Sequence, residues 1–327
     1  MGRYLVTGGS GYIGSHVALH LMDQGHEVHI IDDMSTGHRM CQPIDAKMIM
    51  GSVGNASTLD MAMGTWKYDA VMHLAGLSIV GDSMKKPMHY FIGNVNNTTV
   101  LIDRMIAHKI PKLVFSSTAA VYGIANNGLI TENAQLDPMN PYGESKLAIE
   151  RMIGWASRVH GLRCAILRYF NAAGADPLMR SGEMHNPETH LIPLAIAAAH
   201  GKNRNFKIFG NDYNTVDGTA IRDYVHVSDI ASAHAKACEY LDKVCNLVAN
   251  IGTGQGHSIM DVISNIETVT GNIVEYSVTN RRPGDPEILA ADPARLTDLT
   301  GWKPVYQLKD IIETANRWYV FNTSSNP

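Results

Sequence analysis

An α/β fold, with a doubly wound parallel sheet and a smaller C-terminal α/β lobe, is predicted by three observations. Short apolar runs alternate strictly with stretches of helical period, the apolar runs are nearly continuous, and a glycine-rich turn joins the first run to the first helix. Strands covered by helices on both faces have no polar side, so they read as unbroken hydrophobic segments. At 327 residues the chain favours two lobes, given about 100 to 200 residues per domain.

The elements follow in order. Y-L-V-T (4–7) is a short buried strand, and G-Y-I-G-S-H-V-A-L-H-L-M (11–22) continues with helical spacing. E-V-H-I-I-D (27–32), K-M-I-M (47–50) and D-A-V-M-H-L-A (69–75) are three further strands, with a helix at about 88–108 behind them. K-L-V-F-S-S (112–117) is the fifth strand. A helix opened by Pro141 follows it, and C-A-I-L-R-Y (164–169) is the sixth strand. After Asn171 a long loop bearing glycine and proline changes the texture. Helical stretches then fall near 191–200, 228–241, 258–270 and 308–320, and short strands at 206–209, 246–251 and 273–278. Residues 1–171 therefore read as one domain and 172–327 as a discontinuous second lobe. A return near 225–255 is expected, because N-L-V-A-N-I (246–251) is apolar enough to join the main sheet.

Composition narrows the partners. With 45% hydrophobic and 18% charged residues and a net charge of -4, the chain has no basic field for nucleic acid or anionic lipid. Small molecules or a second copy of the chain fit better. The four cysteines form no C-x-x-C pair, no apolar stretch reaches membrane-spanning length, and the N-terminal run is too short for a secretory signal, so a cytoplasmic location is expected. The fifteen histidines show no H-E-x-x-H or similar cluster in the sequence, and no metal is expected.

Gly8-x-x-Gly11-x-x-Gly14 follows a strand, opens a helix, and precedes a second strand that ends in Asp32. In that setting the glycines let backbone approach a pyrophosphate, the helix N-terminus faces its charge, and the carboxylate takes ribose hydroxyls. This is a Rossmann-type dinucleotide site. Asp32 and Asp33 would repel a 2′-phosphate, and no arginine follows until Arg39. NAD is thus favoured over NADP.

Tyr142 is the only one of thirteen tyrosines with a lysine, Lys146, four residues on. One helical face carries both. A nearby cation lowers a phenol's pKa by about 1 to 3 units, enough to make Tyr142 a usable base for a hydroxyl being oxidised. Thr118, at the end of the fifth strand, can bridge a substrate hydroxyl and the Tyr142 oxygen.

The stretches V-T-G-G-S-G-Y-I-G-S-H, S-S-T-A-A-V-Y-G, P-Y-G-E-S-K, L-R-Y-F-N-A-A-G, E-T-H-L-I-P, I-F-G-N-D-Y-N-T-V-D-G-T-A-I-R-D-Y-V-H-V and R-R-P-G-D-P closely resemble the UDP-glucose (UDP-galactose) 4-epimerase family, extended short-chain dehydrogenase/reductases. The resemblance implies NAD-dependent 4-epimerisation of a UDP-hexose through a transient 4-keto sugar, with Thr118, Tyr142 and Lys146 as catalytic residues. It implies a cofactor set of Gly8, Gly11, Tyr12, Ile13 and Gly14; Asp32, Asp33, Met34, Ser35, Thr36 and Gly37; Ser52 and Val53; Leu74, Ala75, Gly76 and Ser78; and Phe170 beside the nicotinamide. For the UDP-sugar it implies Thr118, Tyr142, Asn171, His190, Leu191, Lys207 and Phe209, a clamp of Arg222, Arg282 and Asp285, and Leu289 as a gate for sugar size. It also implies a homodimer joined through the helices near 88–108 and 141–160.

Departures stand at Ser52, usually aspartate in that family, Ser78, frequently lysine, and Gly93, commonly asparagine. Ala119-Ala120 lacks the acid pair that a 4,6-dehydratase needs. UDP-N-acetylhexosamine, UDP-pentose or UDP-hexuronate 4-epimerases share the catalytic groups and stay open. A non-catalytic NAD sensor would have no reason to keep Thr118, Tyr142 and Lys146 together.

Overall fold

The computed structural model describes residues 1–123, 128–282 and 285–325. In the first half, β1 (Arg3–Thr7) leads through the glycine turn to α1 (Tyr12–Asp23), β2 (Glu27–Asp32), β3 (Lys47–Met50), α2 (Ala56–Thr65) and β4 (Ala70–His73). Two single-turn helices, α3 (Val80–Ser83) and α4 (Pro87–Tyr90), run into a π-helical segment (Phe91–Asn96) and then α5 (Asn97–Ala107). β5 (Lys112–Thr118), α6 (Pro141–His160) and β6 (Arg163–Tyr169) complete this half. The second half holds β7 (Asn171–Ala173), α7 (Leu191–Ala199), β8 (Lys207–Phe209), β9 (Ile221–Arg222), β10 (Tyr224–His226), α8 (Val227–Tyr240) and β11 (Asn246–Ile251). After these come β12 (His257–Ser258), α9 (Ile259–Thr270), β13 (Ser277–Thr279), β14 (Ile288–Leu289), α10 (Ala294–Thr300) and α11 (Leu308–Ser325).

Seven strands form the main sheet in the order β11-β6-β5-β4-β1-β2-β3, and every pairing in it is parallel. The chain winds outward in one direction from β1 and in the other from β4, so the order reverses between those two strands. A crevice opens there beyond the carboxyl ends, which is where open α/β sheets bind ligands. One face of the sheet is covered by α1 and α8, with Val17, Leu21, Ile230 and Cys238 packed against Val6, Met72 and Val114. On the other face Leu59, Leu101, Met105 and Ile153, from α2, α5 and α6, meet Leu5, Val71 and Phe115. β11 pairs with β6 over six residues, so N-L-V-A-N-I joins the main sheet as its residues suggest. A separate apolar cluster gathers Ile192, Ile196, Ile208, Ile263 and Ile312 from α7, β8, α9 and α11.

Several elements differ from the sequence expectation. The stretch 273–278 forms a strand only at Ser277–Thr279, because its partner β8 offers just three residues to pair with. The helix expected at 88–108 is broken by the π-helical segment. A Cβ at Gly93 would lie 2.8 Å from the tip of the Leu77 side chain, so the helix passes close to that loop. α2 was not anticipated; its signal is Asn55, whose side chain accepts from the Thr58 N–H at 3.2 Å as an N-cap. Among the described residues, no helix is long and apolar enough to cross a membrane. Pro283 and Gly284 of the R-R-P-G-D-P stretch lie outside the described residues.

Candidate active site

Four loops at the carboxyl ends of β1 to β4 surround the crevice. In the first, Gly8 adopts a positive φ of 69°, and a Cβ at Gly14 would sit 2.0 Å from the Gly8 carbonyl oxygen. Only glycine lets the turn close onto the helix. α1 has no side-chain cap and no acidic residue in its first turn, which leaves the first-turn N–H groups around Tyr12 and Ile13 to an anion. Ser10 is buried with its hydroxyl unpartnered among the described residues. An uncapped helix start beside a buried, unpaired hydroxyl fits a pyrophosphate.

Asp32 ends β2, and its carboxylate accepts from the N–H of Ser10 at 2.9 Å and of Met34 at 2.9 Å. Burial raises its pKa, while those two N–H bonds pull it down. Asp33, Ser35 and Thr36 are exposed along the rim, and a Cβ at Gly37 would press on Asp32 Oδ1 at 2.9 Å. After β3, the Ser52 hydroxyl accepts from the Gly54 N–H at 3.2 Å, and Val53 is buried. After β4, Leu74 and Ala75 donate their N–H groups to Thr7 Oγ1, and Gly76 and Ser78 are exposed. A Cβ at Gly76 would lie 3.7 Å from Lys146 Nζ, so the fourth loop and the helix bearing Lys146 meet in one place. Phe170 is buried beside Leu147 and Ala119, with Leu289 packed against them.

α6 begins with Pro141 in its first turn, and Asn140 caps it by accepting from the Gly143 N–H at 2.9 Å. A Cβ at Gly143 would approach the Ala120 carbonyl oxygen to 2.5 Å. That close approach holds the start of α6 against the end of β5, where Thr118 lies near enough to the Tyr142 phenol to lower its pKa. Lys146, one turn further along, donates to the Ser116 carbonyl at 2.8 Å and lies 6.0 Å from the centre of the Tyr142 ring. The sequence thus brings Thr118, Tyr142 and Lys146 together.

The electrostatics differ from the sequence expectation. Burial pushes the Tyr142 phenol up to about 12; the Thr118 hydrogen bond pulls against it, and Tyr90 adds to it. Burial likewise lowers Lys146 to about 8, with Glu150 opposing. In the protein alone the cost of desolvating a phenolate outweighs any help from an ammonium 6.0 Å from the ring centre. Lys146 by itself does not make Tyr142 acidic.

The remaining residues expected at the substrate form smaller groups. Arg222 Nη2 meets Asp285 Oδ1 at 2.5 Å, and Leu289 pairs with Arg222 in the β14–β9 register. The Arg282 guanidinium lies 4.0 Å over the centre of the Phe209 ring. Asn171 donates its amide to the Asp223 carbonyl at 3.0 Å, while Lys207 is exposed at the start of β8. His190 caps α7 in sequence, just before the half-buried Leu191, and its Nδ1 contacts Glu183 and Glu188.

Sequence reasoning missed the groups behind the catalytic cluster. Ser116 supplies the carbonyl that holds Lys146. Glu150 is paired with Arg168 and accepts from the Ser117 hydroxyl at 2.5 Å. Its position four residues after Lys146 on one helix was the available signal.

A Rossmann-type sheet with an uncapped glycine turn, a carboxylate after β2 and a Thr–Tyr–Lys cluster at the end of β5 defines a dinucleotide-dependent protein of the short-chain dehydrogenase/reductase class. Residues 4–252 match the NAD dependent epimerase/dehydratase family. The UDP-glucose 4-epimerase of Halalkalibacterium halodurans is 44% identical over 317 residues, 96% of this chain and 95% of that protein. The crystal structure of UDP-glucose 4-epimerase from Brucella ovis in complex with NAD superposes with a TM-score of 0.95 at 40% identity, covering 98% of each chain. That of the Stenotrophomonas maltophila enzyme with bound NAD and formylated UDP-arabinopyranose gives 0.96 at 35% identity, over 99% of this chain and 100% of the other. The chain belongs to the UDP-glucose 4-epimerase family.

Proposed function

We propose that the protein interconverts UDP-galactose and UDP-glucose by NAD-dependent epimerisation at sugar C4, through a transient 4-keto sugar. The observation that carries this reading is the gathering of Thr118, Tyr142 and Lys146 at the end of β5, near an uncapped, glycine-built helix start.

Gly8, Gly11 and Gly14, the first turn of α1 and Asp32 would hold the cofactor's pyrophosphate and ribose, with Leu74, Ala75, Gly76 and Phe170 lining its way to the cluster. When bound, NAD supplies a hydride acceptor at C4 and a positive charge that favours the phenolate. Tyr142 Oη takes the proton from the sugar O4, and Thr118 relays it through its hydroxyl. Lys146, held by the Ser116 carbonyl, supplies fixed positive charge at the same place. The 4-keto sugar turns about its link to the diphosphate, which Arg222 and Arg282 anchor, and is reduced on its other face. Asp285 takes ribose hydroxyls. The UDP part of the substrate is placed on the lobe formed by residues 172–327 outside the 225–255 return.

The test is conversion of UDP-galactose to UDP-glucose by purified protein, with Tyr142→Phe expected to lose about 100-fold or more in turnover. Full activity in that variant would remove the base. A rise in reduced-nicotinamide absorbance on adding UDP-galactose separates this reading from a non-catalytic NAD sensor. Acceptance of UDP-N-acetylhexosamines is a second reading that rests on the half-buried Leu289, the position that the resemblance marks as a gate for sugar size. A cytoplasmic homodimer is part of the proposal. It is supported by exposed Met88, Ile92, Trp155 and Val159 around α4 to α6, and size-exclusion chromatography with light scattering checks it.

A further inference from the structure

The sequence shows no ligand motif among its histidines, yet the loop ahead of α7 assembles one in space. Glu183, His185, Glu188 and His190 each offer one donor atom, and these four atoms lie within 4.8 Å of one another. Glu183 Oε1 sits 2.8 Å from His185 Nδ1 and 2.7 Å from His190 Nδ1, and Glu188 Oε1 sits 2.8 Å from the same His190 nitrogen. Glu183 Oε1 thus faces both imidazoles, and Glu188 Oε1, which also accepts from the Thr189 and His190 N–H groups, faces one of them. Imidazoles protonated at Nδ1 fill these contacts as hydrogen bonds; with those two protons released, the same four donor atoms face one another around room for a dication.

We propose that these four residues form a binding site for one divalent transition-metal ion of the borderline class that imidazole and carboxylate prefer, zinc being the type case. Two carboxylates and two neutral imidazoles carry a charge of about -2, which the ion cancels. Bonds of about 2.0 to 2.2 Å to a tetrahedral ion separate its donors by about 3.4 Å, so the present contacts would open by roughly 0.6 Å. The surroundings already hold the central ligand. Glu183 has a side chain only 7% exposed, and its carbonyl accepts from Trp318 Nε1 at 3.1 Å. A Cβ at the neighbouring Gly182 would collide with the Trp318 ring, so the backbone there is pressed onto α11. On the other side His185 meets the edge of Tyr12, ring centres 6.2 Å apart. An ion at this point would tie the segment 183–190 to the start of α7 through Nδ1 of His190, leaving its other ring nitrogen free. The site stands whether or not the proposed epimerisation does, and its test reads binding alone.

Tag-free full-length protein, stripped with a chelator that is then removed, is titrated with Co²⁺ alone, followed by visible absorbance, with Zn²⁺ as competitor. One equivalent of Co²⁺ should bind with ligand-field bands and be displaced by Zn²⁺. His185→Ala and Glu188→Gln, each shown to be folded by circular dichroism, should weaken binding about tenfold or more. Zn²⁺ should raise the melting temperature of the parent chain and not that of His185→Ala. Failure to bind Co²⁺ stoichiometrically, or unchanged affinity in both variants, overturns the site.

Discussion

Replacing Arg168 by methionine tests the buried ion pair behind the catalytic cluster. Arg168 and Glu150 both have side chains less than a tenth exposed. Two parallel bonds join them, Nε to Oε1 at 3.0 Å and Nη2 to Oε2 at 2.6 Å. The guanidinium also donates to the Tyr122 hydroxyl at 2.9 Å, and that hydroxyl donates to Asn250 on β11 at 2.6 Å. Arg168→Met leaves the Glu150 carboxylate with only the Ser117 hydroxyl in a site closed to water. Breaking a buried pair from one side costs about 3 to 5 kcal/mol, most of it the penalty of the abandoned charge. Removing both charges, in Arg168→Met with Glu150→Leu, should therefore restore at least about 2 kcal/mol of that loss. Urea unfolding followed by tryptophan fluorescence measures all three chains. A single-variant loss below about 1 kcal/mol, or a double variant as damaged as the single, would refute the assignment of the cost to an unpaired carboxylate.

Other outcomes follow from the same structure. Gly14→Ala would place a Cβ 2.0 Å from the Gly8 carbonyl, so the turn must open; the NAD content of purified protein, read by absorbance after release, should fall about tenfold or more. Lys146 is depressed to about 8 by burial, so its charge is lost as pH rises through that value, and kcat/KM in cofactor-loaded protein should decline on the alkaline side. Glu150→Gln removes the group that opposes the depression and should move that limb to lower pH. Burial lowers His16 and His234 to about 4, and His73 and His226 to about 3. The unfolded chain, titrating near 6.5, then binds more protons than the folded one at acid pH. Stability should fall as pH drops from about 6.5 towards 3 to 4, each site contributing up to about 1.4 kcal/mol per pH unit, as urea midpoints across that range would show. Leu289→Tyr should reduce turnover of UDP-N-acetylgalactosamine about tenfold more than that of UDP-galactose, measured side by side.

β1, β2, β4, β5 and β6 were legible because burial on both faces makes them read as nearly unbroken apolar runs, and the more exposed edge strand β3 through K-M-I-M. Asp32 and the glycine turn were legible because a fixed distance along the chain separates them. Other features depend on contacts between distant segments. β9, β12 and β14 are two residues each, too short for any periodicity, and exist only through pairing. The π-helical segment at Phe91–Asn96 is not revealed by apolar spacing along a helix. In the site, the i, i+4 rule placed Tyr142 and Lys146 on one face, but the acidity of the phenol is set by how much protein closes around it. The Glu183 to His190 cluster was invisible because a loop, with no period of its own, folds its donors inward.

The last strand to enter the main sheet, β11, lies nearly eighty residues after the strand it pairs with, and β7 to β10, α7 and α8 lie between them. A fragment cut after residue 171 would therefore leave the β6 edge with bare backbone donors and acceptors, open to pairing with other chains. It would also strand Tyr122 and Arg168 without Asn250. The nucleotide-binding half is thus no detachable module. Any redesign that swaps the other half must replace together the insertion between β6 and β11 and the segment after β11, whose α9 and α11 pack with α7 and β8.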